Sequence, residues 1–430
     1  MQFRINIFLK KTQRKGTREK ERGEEKERKK KMKYKHTLSI TGTYYAAYKG
    51  SYGKPLARKI REWCARHIKN RIIQFREEFP SKPAESRLFL NTLHSVSTVS
   101  HVIFNKTIID GTNAILSAIL DCCPNVTRLE LIDCVIDFYI ANDFLCRMQT
   151  NKTLEALHIY CEPGIMGPIN AIGIMLENNT HLRYLKLAFP NVHAMRYNLA
   201  RGIRANTTLV KLSLKNFVTY PNSDIDIFEA LEENTGIKKL RLVEVIPYTS
   251  ERCMKNICQN NTTLKSLKIT QEDLHVSVLR DIAIGLEMSN SLNKLVINTG
   301  VIENGAEMIF GALHKNRGLE VINISCDDNE EPFAVSTVSI LRNNPVLRSI
   351  SVQGISLTDY DPAWQLQLVI SSSHVLEKLR LRCTDDAFEK TPVAVRNKNN
   401  RLRRTETLTQ LAFDRFLPEF HVISFKRARY

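Results

Sequence analysis

The chain has 430 residues, a formal net charge of +18, 43% apolar residues and 10 scattered cysteines. The cysteines form no Cys-x-x-Cys ligand pair and no cysteine-rich cap, so we expect buried free thiols rather than a disulfide framework or a zinc site. No apolar run is long enough for a secretory signal or a membrane span, which predicts an intracellular protein, cytoplasmic, nuclear or both.

The first segment, residues 1–35, holds 15 lysines and arginines against five glutamates. A charged, low-complexity stretch of this kind cannot bury enough apolar surface to fold, so it predicts a disordered basic tail. As a nuclear-localisation or nucleic-acid-contacting arm it would centre on Arg28, Lys29, Lys30, Lys31, Lys33 and Lys35. The alternatives are a solvated tail without a specific partner and translation that starts at Met32.

Residues 36–95 are predicted to form a helical N-terminal cap. Apolar residues recur there at helical spacing between positions 55 and 79, and basic residues accompany them. The residues that recur at this spacing are Leu56, Ile60, Trp63, Cys64, His67, Ile68, Phe75 and Phe79. Such a helix before a repeat array covers the open end of the core. The alternative is a basic amphipathic helix that binds a membrane or a calmodulin-type groove.

Residues 96–410 contain twelve copies of the pattern Leu-x-x-Leu-x-Leu, with successive copies 26 to 29 residues apart. Their first apolar residues are Val99, Val126, Leu154, Leu182, Leu209, Ile237, Leu264, Leu292, Leu319, Leu347, Leu376 and Leu402. So steady a period predicts a solenoid, whose repeats each contact only their neighbours.

Each repeat is predicted to be a strand followed by a helix, which makes the fold class α/β. The segment Leu209-x-x-Leu212-x-Leu214 alternates apolar and polar residues, as a strand with one buried face does. Residues 223–234, 281–290 and 305–316 have helical spacing instead. No single unit buries its own apolar face, so the strands should stack in parallel with the helices outside.

These repeats resemble the ribonuclease-inhibitor-like leucine-rich repeat proteins, and the resemblance covers roughly residues 96–410. It implies a horseshoe with concave parallel strands and convex helices, in about 12 repeats of 27–28 residues. The family often has Asn or Cys three residues after the last strand leucine, and here only Cys134 fits. Asparagines lie instead three residues before the first leucine: Asn151, Asn179, Asn206, Asn234, Asn261, Asn316, Asn344 and Asn399. We expect them to end the convex helices in the left-handed conformation.

The concave face is predicted to be basic. Of the 33 outward-facing strand positions in the first eleven repeats, eleven are Lys or Arg and only Glu130 is acidic. Acidic residues such as Glu229, Glu233 and Glu287 fall in the helical halves. The predicted partner-binding residues are Tyr184, Lys186, Lys211, Lys215, Lys239, Arg241, Lys268, Lys294, Lys378, Arg380 and Arg382. A concave positive surface attracts acidic partners.

The last segment, residues 411–430, is predicted to be a basic C-terminal tail. No motif in the chain indicates catalysis: GSYGKP at 50–55 lacks the spacing of a phosphate loop, and no His-Glu-x-x-His occurs. We expect His101 and His158 to be ordinary exposed imidazoles, and we predict no metal and no cofactor.

The sequence therefore favours a non-enzymatic intracellular scaffold that binds an acidic protein on its concave face, with nucleic acid possible through the basic tails. The alternatives are a recognition subunit of a ubiquitin-ligase adaptor, for which residues 36–95 would supply the docking box, and a GTPase-activating regulator of the same repeat class.

Overall fold

The structure is a computed structural model. It describes residues 37–41, 71–76, 99–109, 115–161, 168–188, 196–216, 225–246, 252–301, 305–328, 340, 344–355, 378–383 and 421–426. The chain divides into two compact units, Met1–Pro190 and Asn191–Tyr430. The predicted basic tail around Arg28 lies outside the described residues.

In its described ranges, unit 1 is a sheet of parallel strands with three helices between them. Its strands are β1 (Thr37–Thr41), β2 (Arg71–Arg76), β3 (Val99–Asn105), β4 (Ile108–Ile109), β5 (Arg128–Ile136), β6 (Ala156–Cys161) and β7 (Tyr184–Ala188). Its helices are α1 (Ile115–Cys122), α2 (Phe138–Met148) and α3 (Pro168–Asn178). The spatial order is β1-β2-β3-β5-β6-β7, and the short β4 pairs with β5.

Unit 2 repeats the same alternation. Its strands are β8 (Lys211–Lys215), β9 (Lys239–Val243), β10 (Ser266–Thr270), β11 (Lys294–Val301), β12 (Val321–Asp328), β13 (Ser349–Ile355), β14 (Lys378–Cys383) and β15 (His421–Lys426). Its described helices are α4 (Arg196–Ala205), α5 (Ile225–Glu233), α6 (Cys253–Asn260), α7 (Val276–Met288) and α8 (Gly305–Leu313). Strands β8 to β14 lie side by side in chain order and are parallel. The last strand, β15, pairs antiparallel with β14.

The predicted α/β class and the stacking of parallel strands are confirmed in both units. Alternate strand residues such as Leu212 and Leu214 are buried, and so is one face of each neighbouring helix, as Ile227 and Leu231 of α5 show. Within each unit, successive helices pack against one another. The core therefore runs along each unit between strand and helix, as expected when each repeat buries its apolar face on the next.

The asparagines before the strands do not work as predicted. Positive φ among the described non-glycine residues occurs only at Lys106, Asp133, Asn216, Glu244 and Arg252, and Asn261 has a φ of −71°. The left-handed role is therefore wrong for the described asparagines. Five of them, Asn179, Asn234, Asn261, Asn316 and Asn344, instead donate their buried side-chain amides to backbone carbonyl groups of the preceding repeat.

The helical prediction for residues 36–95 is wrong at two places, since β1 and β2 are strands. β2 extends the parallel sheet by pairing with β3, and its Ile72 is buried. The pairing supplies backbone partners that the spacing of apolar residues does not reveal. A strand, β15, also lies within the predicted C-terminal tail, at His421–Lys426. The other residues of both segments lie outside the described part of the chain.

Candidate binding face

The basic residues of unit 2 converge on the outward-facing positions of four neighbouring strands, β8 to β11. Leu212 and Leu214 of β8 are buried in the core, so the residues that alternate with them face the other side of the sheet. The register aligns Lys211 with Lys239, Ser266 and Lys294 in one row across the strands. A second row aligns Ser213 with Arg241, Lys268 and Val296.

Five cationic side chains in these two rows form what we call the basic patch: Lys211, Lys239, Arg241, Lys268 and Lys294. Neighbouring strands lie about 4.8 Å apart, so the patch measures roughly 15 Å across its four strands. Lys211, Lys239, Arg241 and Lys294 are exposed, whereas Lys268 is half-buried among them. The patch is thus open to a ligand along most of its length.

The pKa of Lys268 is lowered by its surroundings in the patch. Burial lowers the pKa of its ammonium group, and the charges of Arg241 and Lys294 lower it further. Like charges this close repel one another, and an anion bound between them would relieve the repulsion. The centre of the basic patch is therefore electrostatically suited to a negatively charged ligand.

No carboxylate offsets the patch among the described residues. The ion pairs of unit 2 in the described ranges are Arg204–Glu233, Lys315–Glu287 and Arg348–Glu320, and none of them includes a patch residue. The first joins the consecutive helices α4 and α5, and the second joins α7 to the turn after α8. The predicted separation of basic strands from acidic helices fits α5, which has four acidic residues and no basic one, but not α4, which has three arginines and no acidic residue.

A hydroxyl group without a partner lies inside the basic patch. Ser213 is 4% exposed, and its Oγ has no hydrogen-bond partner among the described residues. It faces the same side of β8 as Lys211 and lies in register with Arg241. Serine at an outward-facing strand position is expected to be solvated, so the sequence does not predict this buried hydroxyl.

The other predicted contact residues of unit 2 lie on β8 and β14. Lys215 is half-buried at the end of β8. Lys378, Arg380 and Arg382 occupy β14, in register with Ser349, Ser351 and Gln353 of β13. β12 and β13 separate β14 from the patch, and they carry Asn323, Ser325, Ser349 and Ser351 at outward-facing positions. The basic residues of unit 2 thus form two groups.

Tyr184 and Lys186 lie in unit 1, on β7, and are described apart from the basic patch. Tyr184 is 47% exposed and aligns with Ala156 of β6. Lys186 is half-buried and aligns with His158. The outward-facing side of unit 1 is consequently a mixture of aromatic, imidazole and charged groups rather than a second basic patch.

The most buried charge on that face belongs to Glu130 of β5. Its side chain is 11% exposed. Its Oε1 accepts a hydrogen bond from Arg128 Nε at 2.8 Å and lies 2.7 Å from Arg128 Nη2. His101 Nε2 lies 2.9 Å from Oε1, and His158 Nδ1 lies 3.5 Å from Oε2. The Nε2 atoms of both imidazoles have no hydrogen-bond partner among the described residues. The contact between His101 and Glu130 is therefore electrostatic.

This cluster holds Glu130 in its ionised form. Burial alone raises the pKa of the carboxyl group, but the contacts with His101 and His158 and the charge of Arg128 outweigh burial and leave the pKa well below its usual range. His101 and His158 have side-chain exposures of 12% and 14%, so their prediction as ordinary exposed imidazoles is wrong. The signal was present, since all three residues occupy outward-facing positions of consecutive repeats.

The cysteine prediction is confirmed for Cys123, Cys134, Cys258 and Cys326, which are buried free thiols, whereas Cys122 and Cys146 are exposed. Burial raises the pKa of the Cys258 thiol to about 12, with a further contribution from the charge of Asp281. Cys134 Sγ donates to the carbonyl groups of Phe104 and Ile132, the kind of backbone contact expected at its position. These buried thiols are packing groups.

Two further findings bear on the kind of site present. Over the described ranges, no cluster of three histidine, cysteine, aspartate or glutamate side chains is arranged to hold a metal ion, and this includes the surroundings of Glu130. No helix in the described part of the chain is both long and apolar enough to cross a lipid bilayer.

Comparison with known proteins assigns the chain to no family. No protein-family model matches it, and no curated protein matches its sequence. Among the described residues, the basic patch of unit 2 is the largest group of like charges on adjacent strands.

Proposed function

We propose that the chain is a leucine-rich repeat solenoid of the ribonuclease-inhibitor-like type that acts as a non-enzymatic interaction scaffold. Its basic patch would bind an acidic segment of a partner protein. The observation that carries this proposal is the gathering of Lys211, Lys239, Arg241, Lys268 and Lys294 on four adjacent strands without a described acidic neighbour.

Electrostatics and backbone rigidity support this function. A surface of one charge sign draws an oppositely charged partner toward it and raises the association rate. Strands β9, β10 and β11, which carry four of the five patch residues, are each paired with a strand on both sides, so the Cα positions of these four residues are fixed before binding. Pre-organised backbone lowers the entropy lost when a partner docks. The patch thus combines a fixed backbone with Lys and Arg side chains that can adjust to a partner.

The alternative without a binding partner is that the lysines only keep an exposed sheet soluble. Solubility alone requires dispersed charge of both signs, whereas here one sign is gathered and Lys268 is half-buried with a lowered pKa. Holding a cation in that position is unfavourable in the free protein. This unfavourable arrangement is better explained by a ligand that neutralises it than by solubility.

The test compares two charge-reversal variants of equal net charge. Lys239→Glu/Arg241→Glu alters the basic patch, and Arg280→Glu/Arg317→Glu alters exposed residues on α7 and after α8. Fluorescence anisotropy with a labelled polyglutamate peptide should show a loss of affinity of at least about tenfold for the first variant only. Equal losses in both variants, or none in either, would overturn the proposal.

A further inference from the structure

The hydrogen-bonding groups around Ser213 point to a more specific ligand. Lysine and arginine side chains carry donors and no acceptor, so the cations of the basic patch cannot accept a hydrogen bond from the Ser213 hydroxyl. Ser213 is 4% exposed, and its Oγ has no hydrogen-bond partner among the described residues. A buried hydroxyl left in this state destabilises the folded protein. The patch therefore offers many donors but no group that can accept the Ser213 O–H.

The position of Ser213 places its hydroxyl where a bound anion would meet several of these donors. Ser213 is in register with Arg241 on β9, and Lys211 lies two residues before it on the same face of β8. Lys239 is in register with Lys211, and Lys268 is the next residue along the row beyond Arg241. An oxyanion beside Arg241 would therefore be surrounded by a hydroxyl, a guanidinium group and three ammonium groups.

We propose that the basic patch contains a subsite for the phosphoryl group of a phosphorylated polypeptide, bound by Ser213 and Arg241 and neutralised by Lys211, Lys239 and Lys268. This inference rests on the proposed function, since it identifies the chemistry of the acidic partner. Arg241 offers a planar fork of donors that matches two phosphoryl oxygens. The Ser213 hydroxyl then donates to an oxygen instead of remaining unpaired.

Phosphoryl groups fit the site better than carboxylates do. A phosphoserine carries about −1.5 to −2 charges and three strongly accepting oxygens, whereas a carboxylate carries one charge and two oxygens. The patch gathers five cations on four strands without a described acidic neighbour. The number of donors and the concentration of positive charge therefore match the more highly charged ligand.

A polypeptide fits this face better than a nucleic acid does. Proteins that bind single strands stack the bases on aromatic side chains, and no described outward-facing residue of β8 to β13 is aromatic. The outward-facing positions of β10 to β12 include instead the polar residues Ser266, Thr270, Asn298, Asn323 and Ser325, beside the apolar Val296 and Val321. Hydroxyl and amide side chains can both donate to and accept from the peptide groups of an extended partner.

Access to Ser213 requires only side-chain motion. Lys211 and Arg241, its neighbours on the patch, are exposed, and exposed side chains change rotamer within nanoseconds. The strands beneath them need not move. Binding would then exchange a buried, unpaired hydroxyl for one that donates to a charged acceptor, which is among the stronger hydrogen bonds in proteins.

The experiment uses three labelled peptides, Asp-Asp-pSer-Asp-Asp, Asp-Asp-Asp-Asp-Asp and Asp-Asp-Ser-Asp-Asp, with the full chain. Fluorescence anisotropy should show that the phosphorylated peptide binds at least about tenfold more tightly than the all-aspartate peptide. Ser213→Ala and Arg241→Lys should each weaken binding of the phosphorylated peptide by about tenfold and barely change binding of the all-aspartate peptide. Ser325→Ala, which removes a half-buried hydroxyl from the same face, is the matched control.

The possible outcomes separate the two proposals. Equal affinity for all charged peptides and no effect of Ser213→Ala would overturn the phosphoryl subsite and leave the proposed function standing. Failure of the wild-type chain to bind any of the peptides would overturn both. Tighter binding of a thymidine oligonucleotide, unaffected by Ser213→Ala, would replace the polypeptide partner by a nucleic acid. Thermal unfolding of Ser213→Ala checks its folding, and loss of an unpaired hydroxyl should leave the melting temperature unchanged or higher.

Discussion

The side-chain amide of Asn234 donates from Nδ2 to the backbone carbonyl of Asn206, the equivalent residue of the preceding repeat, at 2.7 Å. The same nitrogen donates to the Ile203 carbonyl at 2.6 Å, near the end of α4. The Oδ1 atom accepts from the backbone N–H groups of Gly236 and Ile237 at 2.9 and 2.7 Å. One buried side chain thus connects the end of one helix, the next turn and the start of the next strand.

Replacement of Asn234 by alanine should therefore destabilise the protein strongly. The change leaves two carbonyl groups and two N–H groups without their partner in a buried turn, and each such loss costs about 1–3 kcal/mol. Because the four bonds share one side chain and water can reach part of the turn, we expect a total loss of about 2–5 kcal/mol. Urea denaturation measures this loss as a lower midpoint at unchanged slope.

The control for Asn234→Ala is Asn290→Ala, since Asn290 is exposed in the equivalent turn of a later repeat. A surface change of this kind should stay within about 0.5 kcal/mol of the wild type. A destabilisation of Asn234→Ala no larger than that of Asn290→Ala would show that the buried amide contributes nothing to stability.

Ser289 marks a gap in the series of buried asparagines, and filling the gap should stabilise the protein. Ser289 lies at the C-cap of α7, is 1% exposed, and its Oγ has no described hydrogen-bond partner. An asparagine there would place an amide near the Asn261 carbonyl, which at present accepts from Ser291 Oγ at 2.5 Å. We expect Ser289→Asn to raise the free energy of unfolding by about 1 kcal/mol.

The comparison for Ser289→Asn is Ser289→Ala, which removes the unpaired hydroxyl and adds no amide. If asparagine stabilises through its hydrogen bonds, it should raise the urea midpoint more than alanine does. A lower midpoint for Ser289→Asn than for the wild type would mean that the turn has no room for the longer side chain.

The strands and the positions of the basic residues on them could be predicted from the sequence because both follow from short-range alternation. In Lys211–Lys215, apolar Leu212 and Leu214 fix which side is buried, and the remaining residues must then face outward. The repeat period does the rest, since it places equivalent residues side by side on parallel strands. The clustering of Lys239, Arg241 and Lys268 needs no information beyond these two regularities.

The features that the sequence did not reveal depend on partners outside the local segment. The side-chain amide of Asn234 donates to carbonyl groups 28 and 31 residues upstream. The residues near Asn234 in the sequence indicate only that a helix ends there. Glu130 meets His101 and His158 from two other strands. The spacing of apolar residues predicts a helix at β2, but its backbone pairs with β3 and forms a strand. In each case contacts between residues far apart in the sequence decide the structure.

Two glycines of unit 2 should respond to alanine with opposite signs. A Cβ at Gly236 would lie 2.6 Å from the Thr207 carbonyl oxygen, which belongs to the backbone of the neighbouring turn and cannot move freely. Gly236→Ala should therefore lower the free energy of unfolding by about 1–3 kcal/mol, as overpacking does. A Cβ at Gly311, exposed within α8, has no neighbouring atom within 4 Å. Gly311→Ala should raise the free energy of unfolding by about 0.5–1 kcal/mol through helix propensity.

The pair of glycine variants carries its own control, because both add one methyl group to the same unit. Thermal unfolding should shift in opposite directions for the two. Stabilisation by Gly236→Ala would show that the turns of adjacent repeats are looser than their contacts imply, and destabilisation by Gly311→Ala would show that the exposed face of α8 is packed against another group.

The Glu130 cluster predicts a specific dependence of stability on pH. The pKa of Glu130 is well below its usual range in the folded chain, where burial raises it but His101, His158 and Arg128 outweigh burial. In the unfolded chain a glutamate has a pKa of about 4.3. The folded state therefore binds fewer protons at this group, and the stabilisation is fully present above pH of about 4.3 and is lost as the pH falls toward the folded pKa.

Glu130→Gln removes the charge and keeps the shape, so it should lower the free energy of unfolding by about 1–3 kcal/mol at neutral pH. The difference from the wild type should shrink as the pH falls below about 4.3, because the wild-type carboxyl then loses its advantage. Urea denaturation at a series of pH values measures both effects, with Glu155→Gln, an exposed glutamate of the same unit, as the control. A constant difference across this range would mean that the ionised carboxylate is not what Arg128 and the two imidazoles stabilise.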